Sequence, residues 1–313
     1  DGLVIGSSVE RVNSFINKLK RKFEVTCDVA NCYLGMQIVR DRGTKTLHLK
    51  QTAYVRNVLE KFNMSTCNPS SIPADPGVVL KRNPSEGGTD APYRQAIGSL
   101  MYLAVATRPD LAFSVSQLSQ HLEHPSEVHW QAVKRVFRYL RGSMDTGITF
   151  SDQRGSVNQL VAYSDADYAS DEDRKSISGV VLMLNGGPVS WMSRKQTIVA
   201  DSTTYAEYVA AYMATKEIIW VRGLLADLGV MQRQPTIVHM DNAAAEHLVR
   251  NPVHHRRTKH IDVKFHYTRD AYQRGEIDIN HVGTTEQLAD MFTKPLSRDK
   301  FANNLKLLNL HSV

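Results

Sequence analysis

The sequence predicts a mixed α/β fold for residues 151–313, preceded by a mainly helical segment. Apolar strand-like runs alternate with helical stretches after residue 150. Helical spacing of apolar residues dominates between residues 53 and 141, and a loop rich in proline and glycine interrupts it over 68–92. Such alternation of strands and helices is typical of layered α/β architectures.

The first 52 residues contain both strand-like and helical patterns. Residues 3–6 have the composition of a strand, and residues 9–22 repeat apolar side chains at helical spacing. Residues 33–51 contain two β-rich runs around 41–44, where a glycine would supply the positive φ of a hairpin turn. A strand, a helix and a hairpin are therefore expected.

Residues 53–150 are predicted to be mainly helical. The predicted helices are 53–64, 93–107, 110–122 and 126–142. Three basic residues of the last helix, Lys134, Arg135 and Arg138, fall largely off its apolar stripe. They are candidates for contacts with phosphates, and an ordinary solvated face is the alternative.

Residues 151–313 are predicted to contain five strands and flanking helices. The predicted strands are 159–167, 177–186, 188–195, 236–241 and 276–282. The predicted helices are about 202–228, 258–275 and 284–294. Together they indicate one mixed sheet covered by helices.

Four acidic residues stand at informative places in this second half. Asp165 ends the first strand, and Asp241 ends the fourth. Glu207 lies in the first turns of the long helix, and Asp290 lies in the last predicted helix. If the strands of Asp165 and Asp241 are neighbours, the four carboxylates can meet at one edge of the sheet.

Clustered carboxylates raise one another's pKa unless a cation lies among them. Hard divalent cations prefer oxygen ligands, and Mg²⁺ is the commonest candidate, with Mn²⁺ as a substitute. Two such ions stabilise the attacking and leaving oxygens when a phosphodiester is cleaved. The spacing therefore favours a two-metal phosphodiesterase site.

Each acid also has a simpler explanation. Asp165 could be a turn residue, and Asp241 could cap the helix that follows it. The Thr204-x-x-Glu207 pattern fits a capping box, and Asp290 could be an exposed helix carboxylate. Asp167 is a weaker candidate than Asp165, because the strand could end before it.

Composition and charge limit the function classes. The net charge is +6, and residues 1–150 carry the whole surplus, with 19 Lys and Arg against 13 Asp and Glu. A basic half is consistent with a polyanionic partner such as nucleic acid, and equally with an ordinary solvated surface. Three cysteines, no secretory leader and no apolar run of about 18 residues predict a protein that is neither secreted nor membrane-bound.

Five blocks, in one order along the chain, carry a family resemblance. They are residues 92–150, "YSDADYASD", "SWMSRKQTIVADSTTYAEY", "MDNAAAEHLVRNPVHHRRTKHIDVKFHYTR" and "EQLADMFTKPL". In these blocks the sequence resembles the Pol polyprotein of copia-type LTR retrotransposons, from the end of the reverse transcriptase through the ribonuclease H domain. The resemblance covers almost all 313 residues.

The resemblance implies a ribonuclease H-like mixed five-stranded sheet with flanking helices. It implies that residues 1–52 are a remnant of the polymerase palm, with "CYLGMQI" similar to the hairpin that holds the primer end. Residues 53–150 would then be thumb and connection, and 151–313 the ribonuclease H domain. Asp1 looks like the second aspartate of the polymerase "YVDD" motif, so the chain is expected to be a segment of a longer protein without polymerase activity of its own.

The same resemblance assigns roles to residues. Four acids match the metal-binding residues of the ribonuclease H site, and basic residues are candidates for nucleic-acid contacts. The acids are Asp165, Glu207, Asp241 and Asp290, and the basic residues are Lys134, Arg135, Arg138, Arg257, Lys259 and Lys264. His281 is expected to belong to the last strand, so a loop histidine that shuttles protons is not expected.

The expected activity is hydrolysis of the RNA strand of RNA–DNA hybrids with two Mg²⁺ ions. The expected partners are the hybrid and the remainder of the Pol polyprotein, with no membrane. The expected location is the cytoplasm, in a virus-like particle, or the nucleus. The alternatives are a non-catalytic module that binds hybrids, and a nuclease of the same broad fold that acts on DNA.

Overall fold

The computed structural model describes residues 2–6, 8–81, 88–151, 158–250 and 259–312, and for 259–265 it describes the backbone only. Two groups of elements follow one another along the chain. Those of the first half are α1 (Val9–Lys20), β1 (Cys32–Tyr33), β2 (Met36–Asp41), β3 (Thr46–Lys50), α2 (Thr52–Lys61), α3 (Tyr93–Ala106), α4 (Ala112–Ser119), α5 (Glu127–Gly142) and β4 (Thr146–Ser151). A 3₁₀ helix, Pro109–Leu111, precedes α4.

The second half alternates strands and helices as predicted. Its elements are β5 (Val161–Asp167), β6 (Ile177–Leu184), β7 (Gly187–Lys195), α6 (Thr203–Asp227), β8 (Thr236–Met240), α7 (Ala243–Arg250), α8 (Lys259–Gln273), β9 (Ile277–His281), α9 (Arg298–Leu307) and β10 (Leu310–Ser312). A 3₁₀ helix, Leu288–Phe292, stands where the sequence predicted a longer helix over 284–294. Pro295 limits the helix, because the residue before a proline, here Lys294, disfavours helical backbone angles.

The first sheet has the order β1–β2–β3–β4–β10, with every neighbouring pair antiparallel. The hairpin of β1 and β2 turns through Leu34 and Gly35, both with positive φ. The hairpin of β2 and β3 places its positive φ at Lys45, with φ of 53°, and not at the glycine of the predicted turn. The last strand, β10, joins this sheet beside β4.

The second sheet has the order β7–β6–β5–β8–β9. β7, β6 and β5 are antiparallel neighbours, whereas β8 and β9 run parallel to β5. This mixed five-stranded sheet with flanking helices confirms the predicted ribonuclease H-like fold. The parallel connection from β5 to β8 passes through β6, β7 and α6, and α6 packs against β5 and β6.

Two hydrophobic cores lie on the two faces of the second sheet, and β6 contributes to both. Val180 and Leu182 pack with α6, α7 and α8, whereas Val181 and Met183 pack with α2–α5 and the Leu288–Phe292 segment. The second of these cores continues across residue 150 without a break. β10 pairs with β4, and this core contains residues from both 53–150 and 151–313. The division into 1–52, 53–150 and 151–313 stays a prediction.

A buried ion pair holds the helical segment together. Arg108 and Asp110 are 1% and 2% exposed, and Arg108 Nη2 lies 2.8 Å from Asp110 Oδ2. The Tyr139 hydroxyl donates to the same carboxylate at 2.5 Å, and Arg108 Nη1 donates to the Ser143 carbonyl at 2.9 Å. The start of α4 is thus fixed to the end of α5.

The predicted strand over residues 3–6 is wrong. These residues have no regular secondary structure, and Leu3 and Ile5 are 44% and 84% exposed. A strand needs a partner for its backbone groups, and the described residues provide none here. Among the helices that the structure describes, none combines the length and apolar character that crossing a bilayer requires.

Candidate active site

The two parallel strands in the middle of the second sheet bring two aspartates to one edge. Asp165 lies near the carboxyl end of β5, and Asp241 directly follows β8. Val161, Ala162 and Tyr163 pair with Ile237, Val238 and His239, so both strands end at the same edge. Ligands of open α/β sheets commonly bind beyond the carboxyl ends of the strands.

Glu207 reaches the same edge from the first turns of α6. One carboxylate oxygen from each of Asp165, Glu207 and Asp241 lies within 4.8 Å of the other two. Among the described residues, this is the group of three metal-ligating side chains whose ligand atoms lie so close together. Asp165 and Glu207 are 3% and 6% exposed, whereas Asp241 is partly buried. We call these three residues the acidic triad.

The acidic triad is electrostatically strained. Burial, with the neighbouring charges of Asp165 and Asp241, raises the pKa of Glu207 to about 10. Burial and the charge of Asp290 likewise raise the pKa of Asp241. Glu207 Oε2 is buried and has no hydrogen-bond partner among the described residues. A group of acids in this state attracts either protons or a cation.

Asp290 lies beside the triad but has a cation of its own. It is 2% exposed, and its Oδ1 lies 2.7 Å from Lys294 Nζ. The same Nζ lies 4.0 Å from Asp165 Oδ2. Burial raises the pKa of Asp290 in spite of the hydrogen bond from Lys294, and the nearby charge of Asp165 adds to the rise. The structure therefore brings all four predicted acids to one place, three of them as one cluster.

Two side chains hold the segment of Asp290 against β5. Gln287 Nε2 donates to the Ser164 carbonyl at 3.0 Å, and Thr293 Oγ1 donates to Asp165 Oδ2 at 2.6 Å. Gly179, which pairs with Asp165 in the sheet, allows the close approach. A Cβ at Gly179 would lie 2.6 Å from the Ala289 carbonyl oxygen.

The simpler explanations for the two acids next to helices are wrong. Ser202, not Thr204, is the N-cap of α6, and it accepts from the backbone N–H of Tyr205. Glu207 is therefore inside the helix rather than in a capping box. Asn242 Oδ1 accepts from the backbone N–H of Ala245 at 3.0 Å, so Asn242 caps α7 and leaves Asp241 free for another role.

The other two simple explanations also fail. Asp165 lies inside β5, which extends to Asp167, so Asp165 is not a turn residue. Asp290 is buried on a 3₁₀ helix and is not an exposed helix carboxylate. The Asp167 side chain belongs to the strand, and burial raises its pKa, but its oxygens are not part of the acidic triad.

The residues present fit a hard divalent cation. All three donors of the triad are carboxylates, which suits Mg²⁺, Mn²⁺ or Ca²⁺ better than soft metals. The unpartnered Glu207 Oε2 is the buried polar atom that such an ion would satisfy. His281 ends β9, as expected, and its charge lowers the pKa of Asp241 against the effect of burial.

The predicted nucleic-acid contacts fall into two groups. On α5, Arg138 Nε donates to the Asn68 carbonyl at 2.7 Å, Arg135 binds the Asp75 carboxylate, and Lys134 lies 3.8 Å from Glu127. Arg257 lies outside the described residues. Lys259 and Lys264 belong to α8, in the part where the structure describes the backbone only.

A cavity of about 910 Å³ lies between the basic residues of α5 and the carboxyl end of β5. Lys134, Arg135 and Arg138 line one side, and Asp167 and Pro295 line another. Asp167 lies two residues after Asp165 on β5, and Pro295 directly follows Lys294. The lining thus includes neighbours of the site, whereas the three residues of the acidic triad do not line this cavity.

Four residues of this site were missed by the sequence analysis: Lys294, Gln287, Thr293 and Gly179. The spacing of four residues between Asp290 and Lys294 is a signal that could have identified the lysine. Gln287 and Gly179 gave no such signal, because their roles depend on how closely the 3₁₀ helix approaches β6.

Comparisons with known proteins give one family model and several similar proteins. Residues 1–76 match the family model described as reverse transcriptase (RNA-dependent DNA polymerase). The solved structure of LC11-RNase H1, isolated from compost by a metagenomic approach, aligns with 44% of this chain and 94% of its own, at 18% identity and a TM-score of 0.35.

Two plant proteins are similar over nearly the whole sequence. The retrovirus-related Pol polyprotein from transposon TNT 1-94 of Nicotiana tabacum is 39% identical over 100% of this chain. The corresponding polyprotein from transposon RE1 of Arabidopsis thaliana is 38% identical over 97% of it. The chain spans 24% and 20% of the lengths of these two polyproteins. The chain therefore belongs to the family of retrovirus-related Pol polyproteins of copia-type transposons.

Proposed function

We propose that this chain hydrolyses the RNA strand of RNA–DNA hybrids at the acidic triad, with two divalent metal ions. The observation that carries the proposal is the convergence of Asp165, Glu207 and Asp241, with oxygens within 4.8 Å of one another, at the open edge of a ribonuclease H-like sheet. Three acids from distant parts of the chain meet there at an electrostatic cost, which a bound cation would offset.

The triad residues would hold the metal, and Asp290 would contribute as a flanking ligand. Mg²⁺ is the ion we infer, with Mn²⁺ as a substitute, because every donor is a carboxylate oxygen. A bound divalent ion supplies a water nucleophile of lowered pKa and neutralises charge on the departing oxygen. Asp165 is kept in place by Thr293, and Glu207 is kept in place by the rigid start of α6.

The substrate class follows from charge and from family membership. The cavity that reaches Asp167 at the carboxyl end of β5 carries Lys134, Arg135 and Arg138 on its α5 side, and these basic residues suit a phosphate backbone. Contacts with the backbone position a nucleic acid without reading its sequence. We therefore expect cleavage with low sequence specificity and strong dependence on salt.

The remainder of the polyprotein is the second partner we infer. The reverse transcriptase match ends at residue 76, and within it Ile5, Val9 and Phe23 are 84%, 70% and 62% exposed. α1 contributes no buried residue to the described fold. Such an exposed apolar surface is typical of a segment that packs against another part of a longer protein.

The test is a cleavage assay on a hybrid, a DNA duplex and an RNA duplex side by side, with Mg²⁺, with Mn²⁺ and with EDTA. We expect Mg²⁺-dependent cleavage of the RNA strand in the hybrid. Asp165→Asn is expected to abolish it while hybrid binding is kept. The matched control is Asp299→Asn, an exposed aspartate in the first turn of α9 and outside the triad, which is expected to keep most of the activity.

Two results would contradict the proposal. A wild-type chain that binds the hybrid but never cleaves it with either metal would be a non-catalytic binding module. Preferential cleavage of the DNA duplex would instead identify a DNA nuclease of the same fold.

A further inference from the structure

The outer face of α6 carries an exposed apolar stripe. Trp220 is 63% exposed, Leu224 is 44% exposed and Leu228 is 69% exposed. Met231, shortly after the helix, is 69% exposed. The opposite face of α6 is buried in the core of the second sheet. Tryptophan is enriched at the centres of protein interfaces, so this stripe has the composition of a contact surface.

Gly223 forms a notch next to Trp220 on the same face. It lies in the interior of a 25-residue helix, where glycine is less stable than alanine. A Cβ at this position would meet nothing within 4 Å. No described part of the chain thus requires a glycine here, and the notch is open to a group from outside.

The charges on the stripe are arranged so that it complements itself. Lys216, Trp220, Gly223 and Asp227 follow one another at spacings of four, three and four residues, which place them on one seam of the helix. When two such seams run antiparallel, Lys216 of each copy faces Asp227 of the other. In the same register Trp220 of each copy faces Gly223 of the other. Lys216 and Asp227 are both exposed.

We propose that α6 is a self-association surface, on which two copies of this chain pair antiparallel about a two-fold axis. Each Trp220 fills the Gly223 notch of the other copy, and Leu224 and Leu228 flank the seam. A two-fold interface of this kind uses the same patch on both copies. Glu207 lies 13 residues before Trp220, about 20 Å along the helix, so both acidic triads stay open in the pair.

The first test measures association of the whole chain by sedimentation over a concentration series. We expect a monomer–dimer equilibrium, and we expect Trp220→Ala to weaken it by at least about tenfold. Gly223→Ala is expected to weaken association while raising the melting temperature at dilutions where the wild type is monomeric. The matched control is Gly98→Ala on α3, also exposed with nothing within 4 Å, which should raise the melting temperature without changing association.

The second test exchanges the charges. Lys216→Glu and Asp227→Lys are each expected to weaken the dimer, and the double variant is expected to restore it. Lys300→Glu, on the exposed face of α9, is the control and should have no effect. A chain that stays monomeric throughout would overturn the proposal and leave the stripe to a different protein. A dimer that survives Trp220→Ala and the single charge exchanges would also overturn it, since the association would then lie elsewhere, for example on α1.

Discussion

Lys294 holds Asp290 by an ion pair, with Nζ 2.7 Å from Oδ1, at the place where the family resemblance expects a metal ligand. The same ammonium group lies 4.0 Å from Asp165 Oδ2. The site therefore contains one fixed positive charge among acids that would otherwise repel one another. Burial opposes this charge, but Asp165 and Asp290 raise the pKa of Lys294, so it stays protonated at neutral pH.

Removal of this positive charge should strengthen metal binding. In Lys294→Gln the acids lose their neutralising partner, and a divalent cation gains their full attraction. Lys294 is about a third exposed, so solvent screens part of the effect, and we expect roughly threefold to tenfold tighter Mn²⁺ binding by calorimetry. Lys300→Gln is the control. Weaker binding in Lys294→Gln would show that the lysine supports the metal instead of competing with it.

The stability of the metal-free protein should fall as pH rises. The pKa of Glu207 is about 10 in the folded protein and about 4.5 in the unfolded chain. Between these values the folded state binds the extra proton, so the contribution of Glu207 is fully present below pH 4.5 and is lost progressively up to about 10. The slope from this group is at most about 1.4 kcal/mol per pH unit.

Glu207→Gln isolates this contribution. The variant should lose the part of the pH dependence that comes from Glu207, and its advantage over the wild type in EDTA should grow from pH 5 to 9 in urea unfolding. Added Mg²⁺ should reverse the order of the two proteins, because only the wild type keeps the full ligand set. Parallel pH profiles in EDTA would contradict the assigned pKa.

Gly179→Ala should disturb the segment that carries Asp290. The new Cβ would come within 2.6 Å of the Ala289 carbonyl oxygen and 2.9 Å of Phe292 Cβ. Overpacking of this kind costs about 1–3 kcal/mol of unfolding free energy. We expect a loss of that size in urea unfolding, with reduced hybrid cleavage. Gly98→Ala is the control and should be stabilising. An unchanged stability of Gly179→Ala would mean that the segment can move.

The buried Arg108–Asp110 pair should be important for stability. Asp110→Asn leaves the guanidinium of Arg108 buried without its counter-charge, and breaking such a pair costs about 3–5 kcal/mol. Tyr139→Phe removes one hydrogen bond to the same carboxylate and should cost about 1–2 kcal/mol. Urea unfolding of both variants measures the two losses. A loss below about 1 kcal/mol for Asp110→Asn would show that solvent reaches the pair.

Lys134 gives the clearest test of nucleic-acid binding on α5. Arg135 and Arg138 already bind the 68–75 segment. The ion pair of Lys134 is longer, with Nζ 3.8 Å from the exposed Glu127 carboxylate, so Lys134 can exchange this partner for a phosphate. Lys134→Gln should weaken hybrid binding and reduce the slope of log K against log salt by about 0.7–0.9 if the lysine contacts one phosphate. Fluorescence anisotropy in EDTA measures this slope. An unchanged slope would assign Lys134 to the solvated surface.

The sequence predicted the elements that depend on local patterns. α5 has a strong apolar stripe and begins after Ser126, as expected, and α6 and the five strands of the second sheet lie where periodicity indicated them. The convergence of Asp165 and Asp241 was predictable as well, because two neighbouring strands that run parallel end at one edge of a sheet.

The features that the sequence did not predict depend on distant parts of the chain. β10 has only three residues and is a strand because it pairs with β4. The close approach of the 3₁₀ helix to Gly179 requires the packing of Phe292 and Thr293, which no local pattern encodes. Residues 3–6 are the opposite case. They have the composition of a strand but do not form one, because no neighbouring strand is present among the described residues.

The position of β10 has a consequence for the time course of folding. In the first sheet Thr149 of β4 contacts His48 across 101 residues and His311 across 162 residues. Contacts so distant in sequence form slowly, because a long loop must close before they contribute. On the ribosome, the second edge of β4 stays uncovered until β10 has been made, since Thr149 and His311 are 162 residues apart. We therefore expect the second sheet to assemble first during synthesis, and the first sheet to be completed last.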